Sequence, residues 1–142
     1  MKINGKDWKT IWLTDSLEIQ VIDQTLLPHQ FKIKTIRNIQ DTFLAIKNMV
    51  VRGAPLIGVT GAYGFALGIK ENASNERLIK YSNFLKSSRP TAVNLSWAID
   101  RIYKKVHIIR EDERFEAAIR EAQAIEKEDI KMCSKIGDNG LK

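Results

Sequence analysis

Val50-Val51-Arg52-Gly53-Ala54-Pro55-Leu56-Ile57-Gly58-Val59-Thr60-Gly61-Ala62-Tyr63-Gly64-Phe65-Ala66-Leu67-Gly68 sets the architecture of this chain. An arginine stands at a glycine break, and a proline reopens an apolar run. Proline suits the start of a helix, where its missing N–H leaves no bond unmade, so Pro55 opens a helix that runs to about Ile69. The free N–H groups of that first turn point back at Arg52 and Gly53. Donors at a helix start, a permissive glycine and a guanidinium fork together make a place for an anion, most simply a phosphate.

The same helix breaks a local rule. Gly58, Gly61, Gly64 and Gly68 each cost about 1 kcal/mol relative to alanine in a helix interior. Spaced by three and four, they lie along one side, where they admit another backbone at close range. Tight core packing explains such glycines by itself. Departures from local preference also tend to mark functional sites, and packing combined with anion binding accounts for the arginine as well.

Outward from this helix the chain reads as an ordinary soluble globular protein: 142 residues, 44% hydrophobic and 28% charged, enough for one domain with its own core. The net charge of +6 permits anionic partners. The basic residues are scattered, with Lys104-Lys105 and Lys32/Lys34 the densest groups, so a solvated basic surface is favoured over a nucleic-acid groove. A lone Cys133 excludes an internal disulfide, and with only two histidines no metal-ligand set is expected. Residues 1–6 lack the apolar core of a signal peptide. The apolar run from Ala54 to Ile69 falls short of the roughly 20 residues that span a bilayer. A cytoplasmic protein with no membrane or nucleic-acid partner is the expectation.

Before the glycine-rich helix, apolar residues alternate. Ile11 and Leu13, then Leu17, Ile19 and Val21, flank Thr14-Asp15-Ser16 and predict a hairpin. Phe31, Ile33 and Ile36 add a third strand after Pro28, with Trp8 and Trp12 on either face of this small sheet. Asn38 with Asp41 three residues later predicts a helix start. Ile39, Phe43, Ile46 and Val50 stripe that helix, which is expected to stop at Gly53. Asn72-Ala73-Ser74-Asn75 caps a further helix carrying Leu78, Ile79, Phe84 and Leu85. After Ser87-Ser88-Arg89-Pro90-Thr91, a stripe of Leu95, Ala98, Ile99, Ile102 and Val106 predicts another. The last helix is expected from about Glu111 to Ile136, striped by Phe115, Ala118, Ile119, Ala122, Ile125, Met132 and Ile136, with Gly137 as its C-terminal cap. Cys133 is expected to be a small core residue, and Asp129 a helix-edge carboxylate with its head in solvent. Strands first and five helices after argue for an α+β chain: one domain, residues 1–142, with a small antiparallel sheet of about three strands over residues 1–36 and a helical bundle over 37–142.

Val51-Arg52-Gly53-Ala54-Pro55-Leu56-Ile57-Gly58-Val59 with Ala62-Tyr63-Gly64, followed by Arg89-Pro90-Thr91-Ala92-Val93-Asn94-Leu95, resembles the methylthioribose-1-phosphate isomerase family. Ile22-Asp23-Gln24-Thr25-Leu26-Leu27-Pro28 resembles that family's early segment, and Ile136-Gly137 with Gly140 its interdomain helix end. The family is related to the regulatory subunits of translation initiation factor 2B. The resemblance covers essentially the whole chain, with four motifs in order.

The resemblance implies that Arg52, Gly53 and Ala54 form the loop that contacts a sugar phosphate, and that Arg89 is the second arginine of the site. It implies an aldose-to-ketose conversion of 5-methylthioribose 1-phosphate in methionine salvage, without metal or organic cofactor. Full-length members are more than twice as long. Their Rossmann-like second domain, absent from this chain, supplies the catalytic cysteine and aspartate. Cys133 precedes the glycine motif that the family's cysteine follows, so no residue here is expected to be catalytic, and the chain alone is expected to be inactive. The implied partners are the sugar phosphate, the missing domain or a second chain that supplies it, and further copies of the chain. Two alternatives stand beside this reading: a non-catalytic interaction protein like the initiation-factor subunits, against which the Arg52-Gly53-Ala54-Pro55 and Arg89-Pro90-Thr91 motifs argue, and an isomerase of another ribose phosphate, such as ribose 1,5-bisphosphate, over which the resemblance of Arg89-Pro90-Thr91-Ala92-Val93-Asn94-Leu95 favours the methylthio substrate.

Overall fold

Apolar alternation and turn chemistry build the first third of the chain. The computed structural model describes residues 2–141. Strands β1 (Lys2–Ile3) and β2 (Lys6–Asp7) pair antiparallel. Asn4 and Gly5 between them have φ of 51° and 77°, the left-handed pair that a two-residue hairpin turn requires. A second, three-stranded antiparallel sheet runs in the order β3 (Ile11–Leu13), β4 (Ile19–Ile22), β5 (Ile33–Ile36). Register places Ile11 opposite Val21 and Ile19 opposite Ile36, and all four side chains enter the core. The expected three strands are present; the small hairpin in front of them was not anticipated, although Asn4-Gly5 encodes it. Trp8 packs beside Trp12 and edge-on to Phe31, with ring centroids 5.8 and 5.0 Å away.

Five helices follow: α1 (Ile39–Lys47), α2 (Ala54–Glu71), α3 (Asn75–Ser88), α4 (Val93–Val106) and α5 (Arg114–Gly140), the last preceded by a 3-10 turn at Glu111–Glu113. Helix α2 is the axis. Every residue from Leu56 to Ile69 is buried, as expected of a helix apolar on all sides. Its glycines lie on one arc, but that arc meets three helices. A Cβ on Gly58 would stand 3.0 Å from the Asn94 carbonyl oxygen of α4. One on Gly61 would meet Leu95 of α4 at 2.3 Å, and one on Gly64 would meet Thr42 of α1 at 2.2 Å. Gly68 faces the Tyr81 ring of α3. Three different neighbours, rather than a single partner backbone, require the glycines.

Four expectations are corrected. Helix α1 ends at Lys47, well before Gly53, because Met49 turns left-handed at φ 60°. The Val50 N–H then reaches back to the Ala45 carbonyl (2.9 Å) and the Met49 N–H to that of Ile46 (3.3 Å). This is a Schellman stop with methionine where glycine would have announced it. Helix α5 runs through Gly137 to Gly140, so Gly137 is not a cap; a Cβ there would meet no neighbour. The buried stripe of α5 ends at Ile125. Met132 and Ile136 are 60% and 67% exposed, and Cys133 is exposed rather than in the core.

The N-terminal half of α5 is tied in by buried polar groups. The Arg114 guanidinium donates to the carbonyls of Ala73, His107 and Ile109 and to Asn75, joining the starts of α3 and α5 to the end of α4. No helix among the described residues is long and apolar enough to cross a membrane.

Candidate functional site

The sequence places an arginine ahead of two helices, and the fold brings those helices together. Arg52 lies exposed in the break between α1 and α2. Gly53 is the residue before α2, with φ 94°, a conformation that strains any side chain. The first bond of α2 runs from the Ile57 N–H to the Gly53 carbonyl, 3.0 Å. Pro55 has no N–H, so Ala54 and Leu56 present donors that meet no acceptor among the described residues. Helix α4 starts in the same way. Arg89 is half-buried just after α3, and its carbonyl accepts from the Ala92 N–H at 3.0 Å. Ala92 cannot cap, and the N–H groups of Val93 and Asn94 have no acceptor among the described residues.

Contacts between α2 and α4 advance in step: Gly58 against Asn94, then Gly61 against Leu95 and Ile99. The two helices therefore start from the same end of the molecule, with α4's first turn seated on α2's second. Neither entrance has an acidic residue in its first turn, and neither the Arg52 nor the Arg89 side chain has an ion pair or hydrogen bond among the described residues. Of the residues singled out from the sequence, Arg52, Gly53 and Ala54 form one entrance and Arg89 stands before the other. Two sets of free donors and two unpaired guanidinium groups can engage an anion.

A groove runs from these entrances along α5. Pro55, Gly58 and Val59 of α2, Asn94 and Trp97 of α4, and Ile125, Glu128, Asp129 and Met132 of α5 enclose about 130 Å³. Trp97 is held in place: the Arg101 guanidinium lies over its ring, 5.4 Å from the centroid. Arg101 in turn forks onto Glu128 at 2.6 and 2.8 Å and reaches Glu121 at 2.5 Å. Hydrogen bonds from Arg101 hold the Glu128 carboxyl below the usual carboxylate range. At Glu121 burial pushes the other way, but bonds from Lys105 and Arg101 outweigh it and the carboxyl is lowered too.

Behind the groove, the buried Tyr63 hydroxyl donates to Glu126, whose other oxygen accepts from Lys9 at 3.2 Å. Burial, with Glu126 beside it, drives the Tyr63 phenol far above its ordinary value. This linkage pins α2 to α5 and to the segment ahead of β3. Sequence reasoning did not single it out; the one signal was a tyrosine among glycines and alanines. Trp97 and Arg101 were also passed over, because their four-residue spacing is visible but their link to α5 is not. Cys133 sits on the exposed side of α5, its thiol 3.9 Å from Asp129. No group of three or more histidine, cysteine, aspartate or glutamate side chains that could hold a metal occurs among the described residues.

Residues 50–142 match the Initiation factor 2 subunit family. A methylthioribose-1-phosphate isomerase of Methylocella silvestris is 46% identical over 142 residues, covering 99% of this chain and 39% of that protein. Two solved structures are similar. The delta subunit of translation initiation factor eIF-2B from A. fulgidus superposes with a TM-score of 0.79 at 37% identity, over 87% of this chain and 38% of its own. The 5-methylthioribose 1-phosphate isomerase of Pyrococcus horikoshii OT3 superposes with a TM-score of 0.76 at 37% identity, over 84% of this chain and 36% of its own. The chain thus spans about 39% of the length of the methylthioribose-1-phosphate isomerases of Methylocella silvestris and Sinorhizobium medicae that it matches.

Proposed function

The chain belongs to the Initiation factor 2 subunit family, and on that premise we propose that it is the phosphate-binding, N-terminal part of a cytoplasmic sugar-phosphate isomerase of methionine salvage. The reaction converts 5-methylthioribose 1-phosphate to 5-methylthioribulose 1-phosphate, moving hydrogen between C2 and C1. The observation that carries this reading is the pair of uncapped, acid-free helix entrances, each with an unpaired arginine ahead of it and both at one end of the molecule. Arg52, Arg89 and the N–H groups of Ala54, Leu56, Val93 and Asn94 hold the phosphate. The base and acid that move the hydrogen come from the remainder of the enzyme, beyond the length matched here, and close the site against water. Neither metal nor organic cofactor is needed for that chemistry.

Charge-assisted bonds gain most of their strength in a dry, enclosed site. On this chain the anion stays largely hydrated, so a dissociation constant around millimolar, about −4 kcal/mol, is expected. Titration of the chain with inorganic phosphate, followed by amide NMR shifts, tests the site. Shifts should centre on Ala54, Leu56, Val93 and Asn94, and Arg52→Ala and Arg89→Ala should each weaken binding about five- to tenfold. Shifts confined to other surfaces would overturn the reading. Isomerase turnover by the purified chain should be absent; turnover would put the catalytic groups within these residues.

The similarity to the eIF-2B delta subunit favours a second reading, a non-catalytic interaction protein. A scaffold has no use for paired anion-binding entrances, so saturable phosphate binding at both of them separates the two.

A further inference from the structure

The groove between α2, α4 and α5 has no role in holding phosphate, yet it begins one helical turn from the phosphate donors. Gly58 lies four residues beyond Ala54, a rise of about 6 Å. In 5-methylthioribose 1-phosphate the phosphate and the thioether stand at opposite ends of a five-carbon sugar, a span of the same order. The groove's lining is mainly apolar (Pro55, Val59, Trp97, Ile125 and Met132), with Asn94, Glu128 and Asp129 as its polar members. An indole face and a methionine thioether are favourable neighbours for a polarisable sulfur. Its volume of about 130 Å³ is close to that of apolar cavities, about 150 Å³, that hold a benzene ring, which leaves ample room for a methylthio group.

The wall is also pre-set. Trp97 is half exposed and would be free to swing, but Arg101 lies over its ring and is itself forked onto Glu128 across the groove. That clamp fixes the aromatic face in the absence of any ligand. Gly58 contributes by absence: a side chain there would crowd the Asn94 carbonyl and narrow the groove floor.

The geometry points to this groove as the subsite that reads the methylthio end of the substrate, with Trp97 and Met132 as specificity-determining residues and Arg101 and Glu128 as positioning residues. The inference rests on the phosphate-binding reading above. It also favours the methylthio sugar over a ribose bisphosphate, whose second phosphate would meet the Glu128 and Asp129 side chains that line the groove.

The test titrates the 142-residue chain with inorganic phosphate, ribose 1-phosphate and 5-methylthioribose 1-phosphate, followed by amide, indole N–H and methionine-methyl NMR signals. All three probes should move the amides at Ala54 and Val93. Only the methylthio sugar should move the Trp97 indole and the Met132 methyl, and it should bind about tenfold more tightly than ribose 1-phosphate, the low end for a methylene-sized difference in an apolar pocket. Trp97→Ala should bring the two sugars to one affinity and leave inorganic phosphate unchanged. Met132→Gln, at an exposed position of similar size, should cut the discrimination in the same direction and serves where Trp97→Ala fails to fold. Equal affinity for the two sugars, with the amides at the entrances still moving, overturns the subsite and leaves the phosphate site standing. No shift at the entrances with any probe overturns both.

Discussion

Helices α1 and α3 start in one way, and α2 and α4 in another. At α1 the Asn38 side chain accepts from the Asp41 N–H at 2.7 Å, and Asp41 accepts in return from the Arg37 N–H at 3.0 Å. The Arg37 side chain is paired with Glu18. At α3 Ser74 caps the Arg77 N–H, and Glu76 sits in the first turn. At α2 and α4 there is no capping side chain, no acid, and an arginine with no partner among the described residues. A cap contributes about 0.5–2 kcal/mol, and α1 and α3 have one; α5 has none either, but it carries Glu116 in its first turn and follows the Glu111–Glu113 turn. At the two entrances that lie together, the cap and the acid are both missing, and the first-turn N–H groups and the arginines have no partner among the described residues.

The two kinds of helix meet where α1 crosses α2, and that contact carries the largest expected effect. A Cβ on Gly64 would fall 2.2 Å from Thr42 Cγ2 and 2.6 Å from its Cβ, so rotating Thr42 gives no relief and the backbones must part. Gly64→Ala should cost about 2–3 kcal/mol despite alanine's better helix propensity. At Gly61 the clash is with Cδ1, the flexible end of Leu95, and Gly61→Ala should cost about 1 kcal/mol or less. Urea midpoints measure both. Equal losses would mean that α4 grips α2 as rigidly as α1 does. A weakened phosphate affinity in Gly64→Ala would show that the capped helix holds the uncapped one in place for its ligand.

The next effect sharpens how α2 is held from its other side. The neutral Tyr63 phenol is favoured in the folded protein, where burial and the Glu126 carboxylate oppose its ionisation. Its folded value lies above the unfolded one, so the stability it adds is complete below about pH 10 and is lost as pH rises beyond. The loss approaches about 1.4 kcal/mol per pH unit. Tyr81, raised chiefly by burial, and the lysines titrate in the same window. The measurable quantity is therefore the difference between wild type and Tyr63→Phe, followed by denaturation between about pH 9 and 11. The wild type should lose stability more steeply. Parallel curves would mean that the Tyr63–Glu126 bond does not hold α2 against α5.

The division into strands and helices was legible because it is written in local chemistry: alternation at Ile11 and Leu13, the Asn38 and Ser74 caps, Pro55 after Gly53. The entrances were legible for the same reason, since arginine, glycine and proline are neighbours in sequence. What lay hidden depended on contacts between distant residues. Met49 ends α1 in a conformation that a methionine does not advertise. Met132, Cys133 and Ile136 continue the helical stripe of α5, but a stripe records which residues share a face and not whether anything covers it. Lys9, Tyr63 and Glu126 are far apart in the chain, and no spacing rule links them. The Arg101 clamp on Trp97 was half visible, as a four-residue spacing on α4, while its anchor, Glu128, belongs to another helix.

The smallest expected change is the most direct test of the contrast between capped and uncapped helices, because it exchanges the two kinds. Asn38→Ala removes the α1 cap and should cost about 1 kcal/mol. Ala92→Ser gives α4 the hydroxyl it lacks, on a residue whose backbone is already extended, with φ −78° and ψ 93°, so it should gain about 1 kcal/mol. The two substitutions should therefore shift the urea midpoint in opposite directions. Only the second should touch function. A hydroxyl bonded to the Asn94 or Leu95 N–H competes with a bound anion, and Ala92→Asp adds like-charge repulsion, so phosphate affinity should fall severalfold with serine and further with aspartate. Asn38→Ala should leave it unchanged. If Ala92→Ser gains stability while phosphate binds as before, the uncapped donors of α4 are not part of the site, and the anion is held at α2 alone.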